Sequence, residues 1–208
     1  VGKSDKEIYN ALKLGIEAFN CESLQEIYVI NEMAHHYGVK ASISVRINPD
    51  IDAHTHKYVT TGLYENKFGI SQHEFDKLIE IIHKSEHIDF FGLHFHIGSQ
   101  ITRVNEVFAL ECQRVNEVVK YFEDNGVTIK NINLGGGLGV DYDDPDGTPI
   151  ADFKTWFETI SNNIARRPDQ MVHVEPGRSL VAQCGTLISR VLFVKSGETK
   201  NFLIMDAG

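Results

Sequence analysis

The sequence predicts an α/β fold, the C-terminal five β/α units of a TIM-type (β/α)8 barrel followed by the start of a β domain. Three observations carry that expectation. Strand-like and helix-like segments alternate five times along the 208 residues, the pattern of a parallel sheet with crossover helices. A glycine triplet, Gly135 to Gly137, ends the fourth strand-like run, whereas a doubly wound nucleotide-binding sheet carries its phosphate loop after the first strand. After Arg178 the alternation stops: residues 185–195 and 201–205 are β-rich and separated only by Ser196-Gly-Glu-Thr-Lys200, as in a hairpin. A barrel of about 250 residues commonly places its phosphate site after strands seven and eight, so three strands are expected before Val1. The expected boundaries are a partial barrel over 1–180 and the opening of a β domain over 181–208.

Each element has a local reason. Ser4-Asp-Lys-Glu7 is a capping box that opens a helix with Ile8, Ala11, Leu12 and Gly15 on one face. Residues 17–21 read as a buried strand. Ser23-Leu-Gln-Glu26 is a second capping box, followed by Leu24, Ile27, Met33, Ala34 and Tyr37 and stopped by Gly38. Residues 41–48 alternate like a strand and stop at Pro49, and residues 50–69 form a loop long enough to suggest a function. Ser71-Gln-His-Glu74 is a third capping box, with Phe75, Leu78, Ile79 and Ile82 at helical spacing. Residues 90–97 form a strand ending in Gly98-Ser-Gln100, and a long helix follows with Phe108, Val115, Val118, Val119 and Phe122 as its stripe. Residues 130–134 lead into the glycines, and Phe153, Trp156, Phe157, Ile160 and Ile164 mark another amphipathic helix before a last strand over 171–175.

Composition narrows the class of function. Hydrophobic content of 42% and charged content of 24% are those of an ordinary globular domain. A net charge of −9 argues against nucleic acid as the main partner, since phosphate backbones select a basic face. No apolar run approaches the roughly 20 residues that span a bilayer, so no membrane partner is expected. Cys21, Cys112 and Cys184 are odd in number and in no metal-ligand spacing, which fits a reducing cytoplasm.

The candidate chemistry gathers at predicted strand ends. Gly135, Gly136 and Gly137 offer backbone N–H groups that could close around an anion, or form only a tight turn. Glu175-Pro176-Gly177-Arg178 sets a carboxylate beside a guanidinium. The two could form an ion pair closing the barrel, or Arg178 could face an anion while Glu175 pairs with a protonated ring nitrogen. That second arrangement suits a phosphorylated cofactor with a basic ring. His94 and His96 lie two apart on a strand and share a face. They could bind zinc with His173 as the nearest third ligand, or one could stack on a cofactor ring while the other packs inside. Ser99 could give its hydroxyl to a phosphate or cap a turn. Arg46, alternating inward with Ser44 and Asn48, needs a partner if buried. His54, His56 and Lys67 read as solvated loop residues, and Asp141, Asp143, Asp144 and Asp146 as a solvated turn without calcium-loop register.

Together these stretches resemble the alanine-racemase-like, pyridoxal-phosphate-dependent decarboxylases of basic amino acids, and within that group the diaminopimelate decarboxylases. The carrying motifs are Val45-Arg-Ile-Asn-Pro-Asp-Ile-Asp-Ala53, His56-Lys-Tyr-Val-Thr-Thr-Gly62, Lys67-Phe-Gly-Ile70, His96-Ile-Gly-Ser-Gln-Ile101, Leu134-Gly-Gly-Gly-Leu-Gly139 and Glu175-Pro-Gly-Arg178, in the family's order along the chain. The resemblance implies that His96 stacks on the ring of pyridoxal 5'-phosphate and Ser99 helps bind its phosphate. It implies that Gly135, Gly136 and Gly137, with Pro176, Gly177 and Arg178, cradle that phosphate. Glu175 would pair with the ring nitrogen, Arg178 would also reach the substrate's distal carboxylate, and Arg46 would lie near the cofactor. It further implies decarboxylation of meso-2,6-diaminopimelate to L-lysine, and a homodimer with shared active sites. Related arginine, ornithine or carboxynorspermidine decarboxylases, or a catalytically silent cofactor-binding homologue, are the alternatives. The family's Tyr-x-x-Lys-Ala-Asn motif, which carries the Schiff-base lysine, has no match here, and Asn133 stands where the family usually has aspartate. The lysine is therefore expected outside the chain, and the chain by itself is expected not to decarboxylate.

Overall fold

A computed structural model describes residues 2–49 and 67–207. His54, His56 and the motif over 56–62 fall outside those residues. Five parallel strands, β1 (Phe19–Cys21), β2 (Ala41–Arg46), β3 (Ile88–His94), β4 (Asn131–Asn133) and β5 (Met171–His173), form one sheet in the order β1-β2-β3-β4-β5. Helices α1 (Asp5–Leu14), α2 (Leu24–His36), α3 (Phe75–Lys84), α4 (Val104–Asp124) and α5 (Phe153–Asn163) are interleaved with the strands, and a short α6 (Arg178–Val181) follows β5. A doubly wound sheet reverses its strand order at a switch point. This one winds in a single direction, as barrels do, and it decides between the two architectures the sequence allowed.

The capping boxes are realised unequally. The Glu7 carboxylate accepts from both the backbone N–H and the hydroxyl of Ser4, at 2.8 and 2.7 Å. Ser23 accepts from the Glu26 N–H at 3.2 Å, but the Glu26 carboxylate turns to the Glu22 N–H at 2.7 Å instead of completing the box. Ser71 makes no side-chain cap; it leads into a 3-10 turn, Gln72–Glu74, and α3 starts only at Phe75. Tyr37, expected on the buried face of α2, is 47% exposed because it lies past the last helical turn, at the C-cap.

Register sorts the side chains. Cys21, Val45, Leu93 and Ile132 align across four strands, and all are buried. They belong to one hydrophobic core with Phe108, Val115, Phe122, Trp156 and Ile160 from the helices. Burying such side chains contributes roughly 1.5–3 kcal/mol each. The opposite face is polar: Asn20, Ser44, Gly92 and Asn131 form one row, and Arg46, His94, Asn133 and His173 the next. The C-terminal ends of the strands, carrying Glu22, His96, Gly135 and Glu175, therefore rise from a polar layer. Beyond α6, β6 (Val191–Ser196) and β7 (Asn201–Met205) pair antiparallel as the predicted hairpin. No helix among the described residues is long and apolar enough to cross a membrane.

Gly92 tests the tight contact of β3 with β4. A Cβ there would lie 2.0 Å from the Asn131 carbonyl oxygen, which is sheet backbone with nowhere to move. Gly92→Ala is expected to destabilise the fold by about 1–3 kcal/mol, read as a lower denaturation midpoint; an unchanged midpoint would contradict this packing.

Candidate active site

The ends of β3, β4 and β5 are laced by backbone contacts before any side chain acts. Phe95 N–H donates to the Asn133 carbonyl at 2.7 Å, Leu134 N–H to the His173 carbonyl at 2.9 Å, and Glu175 N–H to the Gly135 carbonyl at 2.7 Å. The glycine triplet makes this closeness possible. A Cβ on Gly135 would meet the Phe95 carbonyl oxygen at 2.3 Å, and one on Gly136 would meet the Glu175 carbonyl oxygen at 2.1 Å. Gly137 has φ of +114°, where L side chains are strained.

The sequence suggests three open glycine N–H groups; the folded loop spends two of them internally. Gly135 N–H donates to Asn133 Oδ1 at 2.8 Å, and Gly136 N–H donates to His96 Nδ1 at 3.2 Å. The Gly137 N–H has no acceptor among the described residues. The Gly136 bond fixes the histidine tautomer, because Nδ1 must present its lone pair. Burial, then the nearby Arg46 and His94, holds the His96 pKa below its ordinary value. His96 is thus a neutral, half-buried ring, suited to lie flat against another ring.

Glu175 is fixed on two sides. Asn133 Nδ2 donates to its Oε1 at 2.8 Å, and His94 Nε2 lies 3.5 Å from its Oε2. His94, then Asn133, outweighs partial burial and draws the carboxyl pKa down to about 2. Yet neither ring nitrogen of His94 closes a hydrogen bond of good geometry. We therefore take the His94 contact as electrostatic and give Asn133 the firm hydrogen bond. Either way Glu175 is an anion with 46% of its side chain open. The ion pair with Arg178 that the sequence allowed does not form. Arg178 Nη1 donates to the Tyr142 hydroxyl at 2.9 Å, and its guanidinium lies 5.9 Å from that ring's centroid.

The other predicted residues surround this centre. Arg46 pairs with Glu22 at 2.8 Å and lies 4.7 Å over the Phe68 ring, so its charge is met within the chain. The second Glu22 oxygen accepts from Gly69 N–H at 2.9 Å, and these donors hold its pKa low against the opposing pull of burial. Ser99 is exposed at the mouth of the β3 loop. His173 is drawn one row away, with Nε2 3.0 Å from Asn131 Oδ1. No cluster of three or more His, Cys, Asp or Glu residues is placed to hold a metal among the described residues. Lys67 leans over the Phe68 ring at 4.9 Å, and the Asp141 carboxylate caps its own loop by accepting from the N–H groups of Asp143 and Asp144.

Four contributors went unread in the sequence. Glu22 could have been found, since it directly follows a barrel strand, where active-site residues collect. Asn133 was noticed only as a departure from the family pattern. Gln100, at φ of +60°, clasps Val140 through both its amide atoms, at 2.6 and 3.2 Å, and so ties the β3 and β4 loops together. Tyr142 carried no signal, because contact with Arg178 spans 36 residues of sequence.

The arrangement sets a neutral imidazole and an anionic carboxylate on one glycine loop, with the Gly137 N–H open nearby for an anion. Residues 1–182 match the family profile of the pyridoxal-dependent decarboxylases, specifically their pyridoxal binding domain. The chain is 49% identical over 208 residues to a diaminopimelate decarboxylase from Bacteroides thetaiotaomicron, covering all of this chain and 54% of that protein. It superposes with a TM-score of 0.83 and 40% identity on a mutant diaminopimelate decarboxylase from Helicobacter pylori complexed with L-lysine, covering 51% of that chain. A diaminopimelate decarboxylase from M. jannaschii gives a TM-score of 0.83 at 34% identity, covering 48% of its chain. The chain spans about half the length of the curated relatives it matches.

The depressed carboxyl gives a pH signature. Its folded pKa of about 2 lies below the ordinary value of 4.5, so its contribution is complete above pH 4.5 and is lost as pH falls toward 2. Solvent screening of this half-open group limits the effect to about 1 kcal/mol. Glu175→Gln is expected to flatten the pH dependence of the denaturation midpoint in that window; parallel profiles for both proteins would contradict the assigned ionisation.

Proposed function

The chain belongs to the pyridoxal-dependent decarboxylase family, and on that premise we propose that its parent protein decarboxylates meso-2,6-diaminopimelate to L-lysine and carbon dioxide. The observation that carries the reading is an anionic Glu175 and a neutral His96 on neighbouring strand ends, each tied to the glycine loop, Glu175 through Gly135 and His96 through Gly136. These residues fit pyridoxal 5'-phosphate. Glu175 would hold a proton at the ring nitrogen, and His96 would present its flat face to the ring. Gly135, Gly136 and Gly137 keep the loop close enough for the Gly137 N–H to reach a phosphate. Ser99, Pro176, Gly177 and Arg178 would line the same phosphate, and Arg46, already neutralised by Glu22, would border the ring. When bound, the cofactor supplies an electron sink for the pair left as carbon dioxide departs.

Substrate choice falls to Arg178. Turned toward solvent on the Tyr142 hydroxyl, it is free to form a two-pronged contact with a distal carboxylate. Monocarboxylate amino acids such as ornithine lack that partner. We further propose that residues 1–180 are barrel and 181–208 open a β domain. The hairpin supports this, for its apolar side chains Phe193, Val194 and Leu203 are 70%, 61% and 60% exposed. Family resemblance supports a cytoplasmic homodimer whose partner subunit completes the site.

The test is product analysis of the complete parent protein. With pyridoxal 5'-phosphate and meso-diaminopimelate it is expected to release carbon dioxide and L-lysine, and to act poorly on arginine, ornithine or carboxynorspermidine. Arg178→Met is expected to raise KM for the diacid about tenfold or more, the size of a lost charge-assisted contact. Absence of L-lysine, or equal turnover of a monocarboxylate, would overturn the assignment.

A further inference from the structure

His94 is the buried polar side chain that the proposed chemistry leaves without a task. It is 6% exposed and lies in the polar row with Arg46, Asn133 and His173, directly beneath the site. Its Nε2 lies 3.5 Å from Glu175 Oε2, close enough for an ion-pair contact, and neither of its ring nitrogens closes a hydrogen bond. A carboxylate only accepts. A ring nitrogen facing it must therefore carry the proton, since two facing lone pairs would repel in a poorly solvated space. The proton of His94 thus belongs on Nε2.

The rest of the Glu175 environment is fixed by independent contacts. Asn133 Nδ2 holds Oε1 at 2.8 Å, while Asn133 Oδ1 is itself held by the Gly135 N–H at 2.8 Å. The Glu175 N–H is anchored on the Gly135 carbonyl at 2.7 Å. Of the charged and titratable groups on neighbouring elements, Arg46 of β2 is occupied by Glu22, His96 is engaged by Gly136 N–H, and Arg178 is turned to Tyr142. His94 is the remaining donor on the Oε2 side among the described residues.

We propose that His94 is a positioning residue, which with Asn133 grips the two oxygens of Glu175 from below and aims the carboxylate at the cofactor's ring nitrogen. It touches neither substrate nor cofactor and acts only through Glu175. The inference rests on the cofactor reading above, yet its test separates the two.

The experiment uses the complete holoenzyme loaded with pyridoxal 5'-phosphate labelled with nitrogen-15 in the ring. The wild type is expected to show a protonated ring nitrogen across roughly pH 6 to 9, throughout which Glu175, with its pKa of about 2, is an anion. In His94→Leu the ring nitrogen is expected to lose its proton at least one pH unit earlier, with cofactor affinity reduced about tenfold, the size of about one pKa unit of lost electrostatic contact. His94→Gln, whose amide N–H can occupy the place of Nε2, is expected to restore both. A folded His94→Leu holoenzyme with wild-type nitrogen titration and affinity would overturn the positioning role alone. A wild-type protein that binds no cofactor, or holds it with a neutral ring nitrogen, would overturn the cofactor reading itself. Should His94→Leu fail to fold, His94→Gln against His94→Asn decides, because asparagine withdraws the donor from the Nε2 place. Equal nitrogen titrations in that pair would overturn the inference.

Discussion

Between the ends of β4 and β5 there is room for backbone and nothing else. The Glu175 carbonyl oxygen stands 2.1 Å from where a Gly136 Cβ would be, and the Phe95 carbonyl 2.3 Å from that of Gly135. This exclusion brings three strand ends within hydrogen-bonding distance of one another. It lets Glu175 N–H bond Gly135 and lets Gly136 N–H reach His96. Had the loop carried side chains, the imidazole and the carboxylate would be pushed apart, and no ring could be held by both. The glycines thus serve the site first as absences of bulk, and only through Gly137 as a candidate N–H donor.

A second constraint is charge partition on the polar face. Two guanidiniums lie close to the site, and neither pairs with Glu175. Arg46 is neutralised by Glu22, whose other oxygen clips Gly69 to the end of β1. Arg178 is drawn away by Tyr142, on a loop stiffened by the Asp141 turn and by the Gln183 bond to the Pro145 carbonyl at 2.8 Å. An arginine on Glu175 would compete with a pyridinium for the same oxygens. Asn133 and His94 lie against the carboxylate in place of a guanidinium. Cys21 and Cys112 are inert as nucleophiles, because burial pushes both thiols up to about 12.

Much of this was legible in residue order. Alternating apolar runs gave the parallel sheet, and the late glycine triplet favoured a barrel over a doubly wound sheet. Helix stripes such as Phe108, Val115 and Phe122 fall in the core as their spacing requires. What escaped was non-local. Nothing near Glu175 in sequence says that it prefers Asn133, 42 residues away, over Arg178, three residues away. Spacing put both charges at one strand end, and the backbone path through Pro176 and Gly177 then turned them apart. Capping motifs misled where another local donor was stronger, as when Glu26 chose the N–H of Glu22, four residues earlier, over that of Ser23. The third box failed because a 3-10 turn intervenes before α3.

The central claim is that Glu175 and His96 hold one ring between them. A crystal structure of the complete protein with pyridoxal 5'-phosphate tests it most directly. The account predicts Glu175 in hydrogen-bonding contact with the ring nitrogen, His96 stacked on the ring face, and the phosphate beside Gly137, Gly177 and Arg178. A cofactor seated elsewhere, or a Glu175 turned away from the ring nitrogen, would contradict it.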